Sequence, residues 1–472
     1  MRLFTSKAKD SKAHVNEKGI SWLLASVFIV GDMAGGGMIA MPHAFANLGL
    51  IPGIILLLLC AFFATHTGLQ LSWNWNMMQN RWPEYKETCR KPYGEMAYRA
   101  IGPRMRGFLA IVMCLSQFGL ATVLILLAAK NLSILLHFFF GVNVNTCYLI
   151  VIVGLAVWPG IMLQSPMHFW QFAVFSAASS SIAVLLLIIG MVHDASACSR
   201  DVLYEESTLL DKFMSFGTLC FAFGGHAAFP TIQHDMVKPA HFFHSVLLSF
   251  FACTVYYLTV SIFSFYIYGD AVGDAVIPSI QLMWIQQLVN LMIALHVVTT
   301  IVIIFSPLMQ HFEHICHVPN KFGVKRFLLR TVLFWAVVFV ALSMPHFGPV
   351  MDLFGASGMC LICMVLPSIF YLSLYTSTRI RENQIAEGIV DVDDVDDRIP
   401  TFGIVGGAIA TISAIISIQQ NLQMAPPCYV QYFTTGFDFS AAGQGIVNCC
   451  GTFRNITVFP GTDPEHFCSL EN

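Results

Sequence analysis

Gly31-Asp32-Met33-Ala34-Gly35-Gly36-Gly37-Met38-Ile39-Ala40-Met41-Pro42 lies inside an apolar run long enough to cross a bilayer. Three successive glycines combine maximal backbone entropy with no side chains to pack, so a helix is expected to open there. Hydrocarbon cannot satisfy the backbone groups that such an opening frees, so it is tolerated only where it lines a cavity or meets a ligand. The device recurs at Phe221-Ala222-Phe223-Gly224-Gly225-His226-Ala227-Ala228-Phe229-Pro230, where two glycines and a proline interrupt a second apolar run. Glycines also let membrane helices pack closely. Two breaks at corresponding positions of two five-span halves instead favour an inverted-repeat transporter with its site at the midplane.

The rest of the chain agrees with a membrane setting. Of 472 residues, 56% are hydrophobic and 11% charged, against about a quarter charged in a soluble domain. Runs near the roughly 20 residues that span a bilayer recur throughout. Eleven spans are predicted at 20–47, 50–75, 107–130, 147–163, 169–192, 213–234, 244–268, 280–306, 330–348, 350–375 and 401–420. The breaks fall in spans 1 and 6. An odd number of spans puts the termini on opposite sides. The first apolar stretch is long, follows a basic stretch and lacks a small-residue cleavage site, so it reads as a retained span, not a signal peptide.

With the N-terminus cytoplasmic, 20 of the 24 Lys and Arg residues fall on the cytoplasmic side, leaving Lys130, Arg200, Lys212 and Arg454 on the other. Basic loops resist translocation, which fixes this orientation. Cys147, Cys198, Cys428, Cys449, Cys450 and Cys468 then form an even set on the far face, where disulfides form. Four lie in the C-terminal tail, so two disulfides are expected there, with pairing unreadable from sequence, and Cys147 with Cys198 would make a third. Asn455-Ile-Thr457 is a glycosylation sequon in the same tail. The sequon at Asn131 is discounted because it sits at the end of span 3. The chain thus divides into a cytoplasmic N-terminal tail (1–19), an eleven-span domain (20–420) and a lumenal or extracellular Cys-rich tail (421–472).

Geometry suggests the chemistry. A half-helix starting after Gly37 offers unpaired N–H groups and a positive dipole end, which suit a carboxylate. Freed carbonyls suit an ammonium or a cation. Amino acids carry both groups and are the simplest substrate class that uses both ends. Gly35, Gly36, Gly37, Gly224, Gly225 and His226 are therefore expected to form the site, largely through their backbones.

At these residues the chain resembles the amino acid/auxin permease family. Gly35, Gly37, Pro42, Ala44-Phe45 and Gly49 match the family's span 1 signature, and Phe221 to Met236 looks like its span 6 motif. Tyr93-Gly94-Glu95 through Gly102-Pro103 with Arg106 resembles its first long cytoplasmic loop, and Gly355 to Tyr371 its tenth span. The similarity runs from about Ile20 to Ile418. It implies a leucine-transporter-like fold and amino acid transport; the chain is read as an all-α 5+5 inverted repeat plus an eleventh helix that moves neutral amino acids by alternating access. Sodium-coupled relatives place an Asn in span 1 and a Thr in span 8 on the ion. Thr300 lies at the matching distance before Pro307, but Gly31 occupies the Asn position, with Asp32 beside it. Proton coupling is therefore favoured over sodium, and a vesicular carrier is a further alternative.

Among polar residues inside spans, Asp32 is a functional candidate by default, because an unpaired charge in a membrane helix is expensive. It is expected to bind a coupling cation or carry a proton. His226 and His296 titrate near neutrality when unperturbed; either is a proton-sensitive group or a satisfied structural histidine. Gln117 in span 3 is a substrate hydrogen-bonding candidate, although buried Gln often joins helices. His311, His314 and His317 near Cys316 and Glu313 read as interfacial side chains, not a metal site. The acidic run from Glu387 to Asp397 reads as a solvated loop.

Competing classes fare worse. A channel or receptor would need a continuous polar stripe, and an enzyme a clustered nucleophile and base or a metal site. The expected partners are a small amino acid and lipid. No cofactor beyond a coupling proton or sodium ion is expected, and no basic domain interleaved with aromatics suggests nucleic acid.

Overall fold

The computed structural model describes residues 19–383 except 88, 90, 143, 164–169, 200–201, 203, 205, 320–322 and 344–352, and beyond them 412, 427–430, 447–450 and 457–458. Over its described residues, each of the first ten predicted spans overlaps a helix or broken helix pair. The eleventh span, the sequon at Asn455 and Cys468 lie outside the described residues.

The first span is α1 (Trp22–Met33) and α2 (Gly36–Leu48), bent by 55° at the glycines. Ser21 caps α1 by accepting from the Leu24 N–H at 3.2 Å. α3 (Leu50–Arg81) follows, then the short α4 (Pro92–Ala100), α5 (Pro103–Phe140), α6 (Thr146–Ile161) and α7 (Trp170–Cys198). The second half opens with α8 (Leu209–Ala222), started by a Thr208–Asp211 capping box, and α9 (Phe229–His234). α10 (Phe242–Tyr268), α11 (Met283–Ile315) and α12 (Val324–Ser343) come next. Two π-helical segments, Gly355–Met359 and Leu361–Val365, lead into α13 (Leu366–Asn383). Among the described residues, seven helices are long and apolar enough to cross a bilayer singly, and the α1/α2 pair makes an eighth as a broken span.

α3 outruns its apolar stretch because its polar end is buried by tertiary contacts. Asn74 Nδ2 donates to the Pro367 carbonyl at 3.3 Å, and Trp75 packs edge-on against His234. The two broken helices occupy the centre. α1 packs on α7 and α10, α2 packs on α8 and α10, and α11 packs most extensively on α5 and α7.

One face carries α4, the N-terminus of α1 and the ends of α3, α9 and α11. There Ile20 and Met236 form a parallel bridge, with the Ile20 N–H donating to the Asp235 carbonyl at 2.9 Å. An ionic clamp joins three helices on that face: Glu313 of α11 accepts from Arg326 Nε at 2.8 Å and Arg330 Nε at 2.6 Å, both of α12. Arg330 Nη1 also donates to the Ile161 and Leu163 carbonyls at the end of α6.

The opposite face carries the far-side cysteines. Cys147, at the start of α6, is at disulfide distance from Cys428, with Cα atoms 5.6 Å apart. Cys198, at the end of α7, stands likewise to Cys450 at 5.2 Å. Cys449 is also disulfide-bonded. The expected Cys147–Cys198 pair is thus replaced by two links, each from a helix end to the tail. Connectivity of this kind depends on where the tail crosses the helix ends, which spacing cannot reveal. Two short strands of the tail, β1 (Val447–Asn448) and β2 (Thr457–Val458), pair antiparallel.

Candidate functional site

At Gly35 a Cβ would come within 2.0 Å of His296 Nε2, and at Gly37 within 2.6 Å of Ala222 Cα. Only hydrogen lets α2 lie on the end of α8 while the imidazole approaches the first break. The second break spans residues 223–228, between α8 and α9. Tyr257 of α10 ties the two breaks together. Its hydroxyl lies 2.9 Å from the Met33 carbonyl and 2.8 Å from the Ala222 carbonyl, the last residues of α1 and α8. One O–H proton serves two acceptors, so the junction is richer in acceptors than in donors.

Behind the first break stand Ser176 and Ser180 of α7, one helical turn apart. Ser176 donates to the Gly31 carbonyl at 2.7 Å and Ser180 to the Ala34 carbonyl. With both hydroxyl protons committed, the serine oxygens accept from His296. Its Nδ1 lies 2.6 Å from Ser180 Oγ and 2.9 Å from Ser176 Oγ. This network assigns the proton of the neutral imidazole to Nδ1 and leaves Nε2 bare. Nε2 faces Gly35 and lies 3.3 Å from Thr300 Oγ1, which itself reaches the Gly31 carbonyl at 3.0 Å. Asp32 borders the same space, and among the described residues its carboxylate makes no hydrogen bond or ion pair.

The enclosed cavity is lined by Asp32, Gly35 to Gly37, Gly224, His296 and Thr300, with Leu120, Leu124, Phe221 and Ile304 as its apolar wall. Its volume is about 20 Å³, room for roughly one water molecule. A larger cavity of about 480 Å³ opens on the α4 face between α4, α5, α9 and α11 and reaches inward to Gln117 and Ala227. On the other face the loop after α10 and the residues just before α8 both reach α2. There the Val276 N–H donates to the Ile39 carbonyl at 2.9 Å, and Ser207 donates to the Asn47 carbonyl. The cavity at the break is thus small, and the larger one opens toward α4.

Of the residues singled out from sequence, Asp32, Gly35, Gly36, Gly37, Gly224, His296 and Thr300 share one cavity. Three sit elsewhere. Gly225 packs between Phe229 and Met33. His226 turns away toward α3, with Nε2 2.9 Å from the Ala64 carbonyl and its ring stacked on Phe229 at 4.7 Å. Gln117 lies in the large cavity, one layer toward α4. Sequence reasoning missed Ser176, Ser180 and Tyr257. The run Ser176-Ala-Ala-Ser-Ser-Ser181 inside an apolar span held a signal, since its i, i+4 hydroxyls share one helix face.

Residues 18–392 match the family model described as transmembrane amino acid transporter protein. The chain belongs to that family. The transporter is 26% identical over 440 residues to amino acid transporter AVT1B of Arabidopsis thaliana, covering 89% of this chain and 76% of that one. It is also 26% identical over 378 residues to lysine histidine transporter-like 6 of the same plant, covering 74% and 82%. Among solved structures it resembles a Na+-coupled sialic acid symporter in its substrate-bound outward-open state, with a TM-score of 0.53 and 12% identity over 88% of this chain and 92% of that one. That likeness, with the two central broken helices, makes the fold leucine-transporter-like. The transporter is a multi-pass membrane protein and not an enzyme.

Proposed function

We propose that this transporter carries neutral amino acids by alternating access and couples their movement to protons at the first break. The observation that carries the coupling is the bare Nε2 of His296, held against Gly35 by two serines whose protons are already spent on the Gly31 and Ala34 carbonyls. An imidazole fixed in this tautomer accepts one proton on the cavity side and nowhere else. Asp32, on the same cavity, offers a carboxyl as a second place for the proton. The same carbonyls and Thr300 would suit a sodium ion, but their corner is filled by the imidazole and the serine hydroxyls. The apolar wall of Leu120, Leu124, Phe221 and Ile304 favours an apolar side chain, because a polar group turned against those residues would find no hydrogen-bond partner among them.

The test is uptake of each of the twenty amino acids at two pH values, with and without sodium, together with counterflow in proteoliposomes. The expected result is proton-driven, sodium-independent accumulation of aliphatic or aromatic substrates. Asp32→Asn is expected to lose pH dependence while keeping counterflow. Unchanged pH dependence in both Asp32→Asn and His296→Gln would sink the coupling scheme.

Orientation follows the same reading: the α4 face in the cytoplasm and the disulfide face in the lumen or outside. Among the described residues, Cys316 is the exposed free thiol on the α4 face, whereas burial pushes the Cys89 thiol up to about 11 and suppresses its thiolate. An impermeant maleimide should label the protein only after the plasma membrane is permeabilised, and Cys316→Ser should remove most of that label. Equal labelling of sealed cells would reverse the topology.

A further inference from the structure

The last turns of α7 present Gly190, Asp194 and Cys198 on one face, each four residues from the next. Gly190 makes room for the loop between α10 and α11, since a Cβ there would stand 3.0 Å from Ile280. Asp194, 3% exposed, grips both ends of that loop: it accepts from the Tyr268 hydroxyl at 2.6 Å and from the Gln281 N–H at 2.8 Å. Cys198 is at disulfide distance from Cys450 of the C-terminal tail. Just before Cys450, β1 packs against the same loop at Ile277–Ser279. The loop also reaches α2, where the Val276 N–H donates to the Ile39 carbonyl at 2.9 Å and the His43 ring stands 3.4 Å from the Val272 carbonyl. Val276, Ile277 and Ser279 are all buried.

We infer that residues 447–450 form a strap, anchored at Cys198, that keeps this loop in the shape that receives α2 and so stabilises the closed form of the disulfide face. The inference rests on the alternating-access reading, in which this face must open for substrate to pass. α2 is the half of the broken first span that runs from the glycines to this face. Its contacts with the loop, one backbone hydrogen bond and one imidazole, are too few to order the loop. Fixing each residue opposes ordering by about as much as such a bond contributes. Order therefore comes from the α7 side, through Asp194 and the strap. A loop already held in place lets α2 dock without ordering it anew. Releasing the strap would leave the loop on Asp194 and Gly190 alone and weaken the seat of α2.

Hydrogen–deuterium exchange of the full chain in nanodiscs tests this in the peptide that carries the Val276 amide. Cys198→Ser with Cys450→Ser is expected to speed exchange of the loop by about 5-fold or more, while exchange in α5 stays at the wild-type rate. Cys147→Ser with Cys428→Ser is the control. It cuts a link that closes a loop of similar length, 281 residues against 252, so it frees the unfolded chain about equally. That link joins the tail to α6, and the adjacent Tyr429 stacks on Phe339 of α12. Loop exchange in the control is expected to match the wild type. Counterflow of tritiated leucine in proteoliposomes is expected to be faster in the strap variant than in either. Loop exchange at the wild-type rate in the strap variant overturns the strap. Equal acceleration in both pairs, or acceleration in α5 as large as in the loop, also overturns it by making the link a general staple. Faster loop exchange with unchanged counterflow overturns the restraint on the cycle. Absence of counterflow in the wild type removes the carrier reading, while the exchange comparison still decides whether the strap holds the loop.

Discussion

Gly37→Ala is expected to slow uptake by roughly 5- to 150-fold, measured as the initial rate per molecule at the membrane. The added methyl would stand 2.6 Å from both Cα and Cβ of Ala222. Ala222 cannot yield cheaply, because it is 1% exposed and its carbonyl is held by Tyr257 at 2.8 Å. Overpacking of this kind costs about 1–3 kcal/mol, and each 1.36 kcal/mol is tenfold in a rate when the penalty falls on a state the cycle must pass through. Gly35→Ala should act at a second place. Its methyl would lie 2.0 Å from His296 Nε2 and drive the imidazole off Ser176 and Ser180, so the pH dependence of transport should fall along with the rate. Gly323→Ala is the control, because nothing lies within 4 Å of the added Cβ. Uptake by Gly37→Ala within twofold of the control would mean that the contact between the two breaks is not part of the cycle.

The transmembrane layout was legible because bilayer thickness and backbone hydrogen bonding leave few solutions. A long apolar run must be helical, and a glycine cluster inside it must meet a cavity. What was not legible depended on rotation and on long-range contact. His226 adjoins Gly225 in sequence and so looks like a site residue, but the turn from Phe223 to Ala228 swings its ring onto the Ala64 carbonyl. His296 is distant in sequence from the glycines, yet its place on α11 aims it at Gly35, where the absence of a side chain makes room. Nothing local distinguishes the two histidines. The extent of α3 was underestimated for a related reason. Hydropathy reports contact with lipid, and Met78 and Gln79, beyond the predicted end, are buried by protein.

Tyr257 shows why the second break matters even though its histidine points away. In a helix the terminal carbonyls have no internal partner, and inside a membrane each must find one. Here one hydroxyl serves the ends of both α1 and α8, so neither half-helix can tilt without changing the other's hydrogen bonding. The two breaks thereby behave as one joint. Any motion at the end of α1 would reach α8 through that single shared donor.

Glu313→Ala should give the largest loss of stability, about 3–5 kcal/mol, because it removes the carboxylate to which two buried guanidiniums donate. The Glu313 side chain is 5% exposed and those of Arg326 and Arg330 are 5% and 1%, so water cannot replace the lost partner. Thermal midpoints in detergent, read by loss of the monodisperse peak, should fall on the order of 5–10 °C. Replacing all three residues with apolar ones (Glu313→Leu, Arg326→Met and Arg330→Met) should recover part of that loss, since it removes the stranded charges instead of exposing them. Recovery should stay incomplete. Arg330 Nη1 also serves the Ile161 and Leu163 carbonyls at the end of α6, and leaving those acceptors bare costs about 1–3 kcal/mol each. A midpoint for Glu313→Ala within a degree of wild type would mean that the clamp is solvated and that α6, α11 and α12 are held together by packing alone. A triple variant more stable than wild type would mean that the ionic clamp is kept for motion at the α4 face and not for strength.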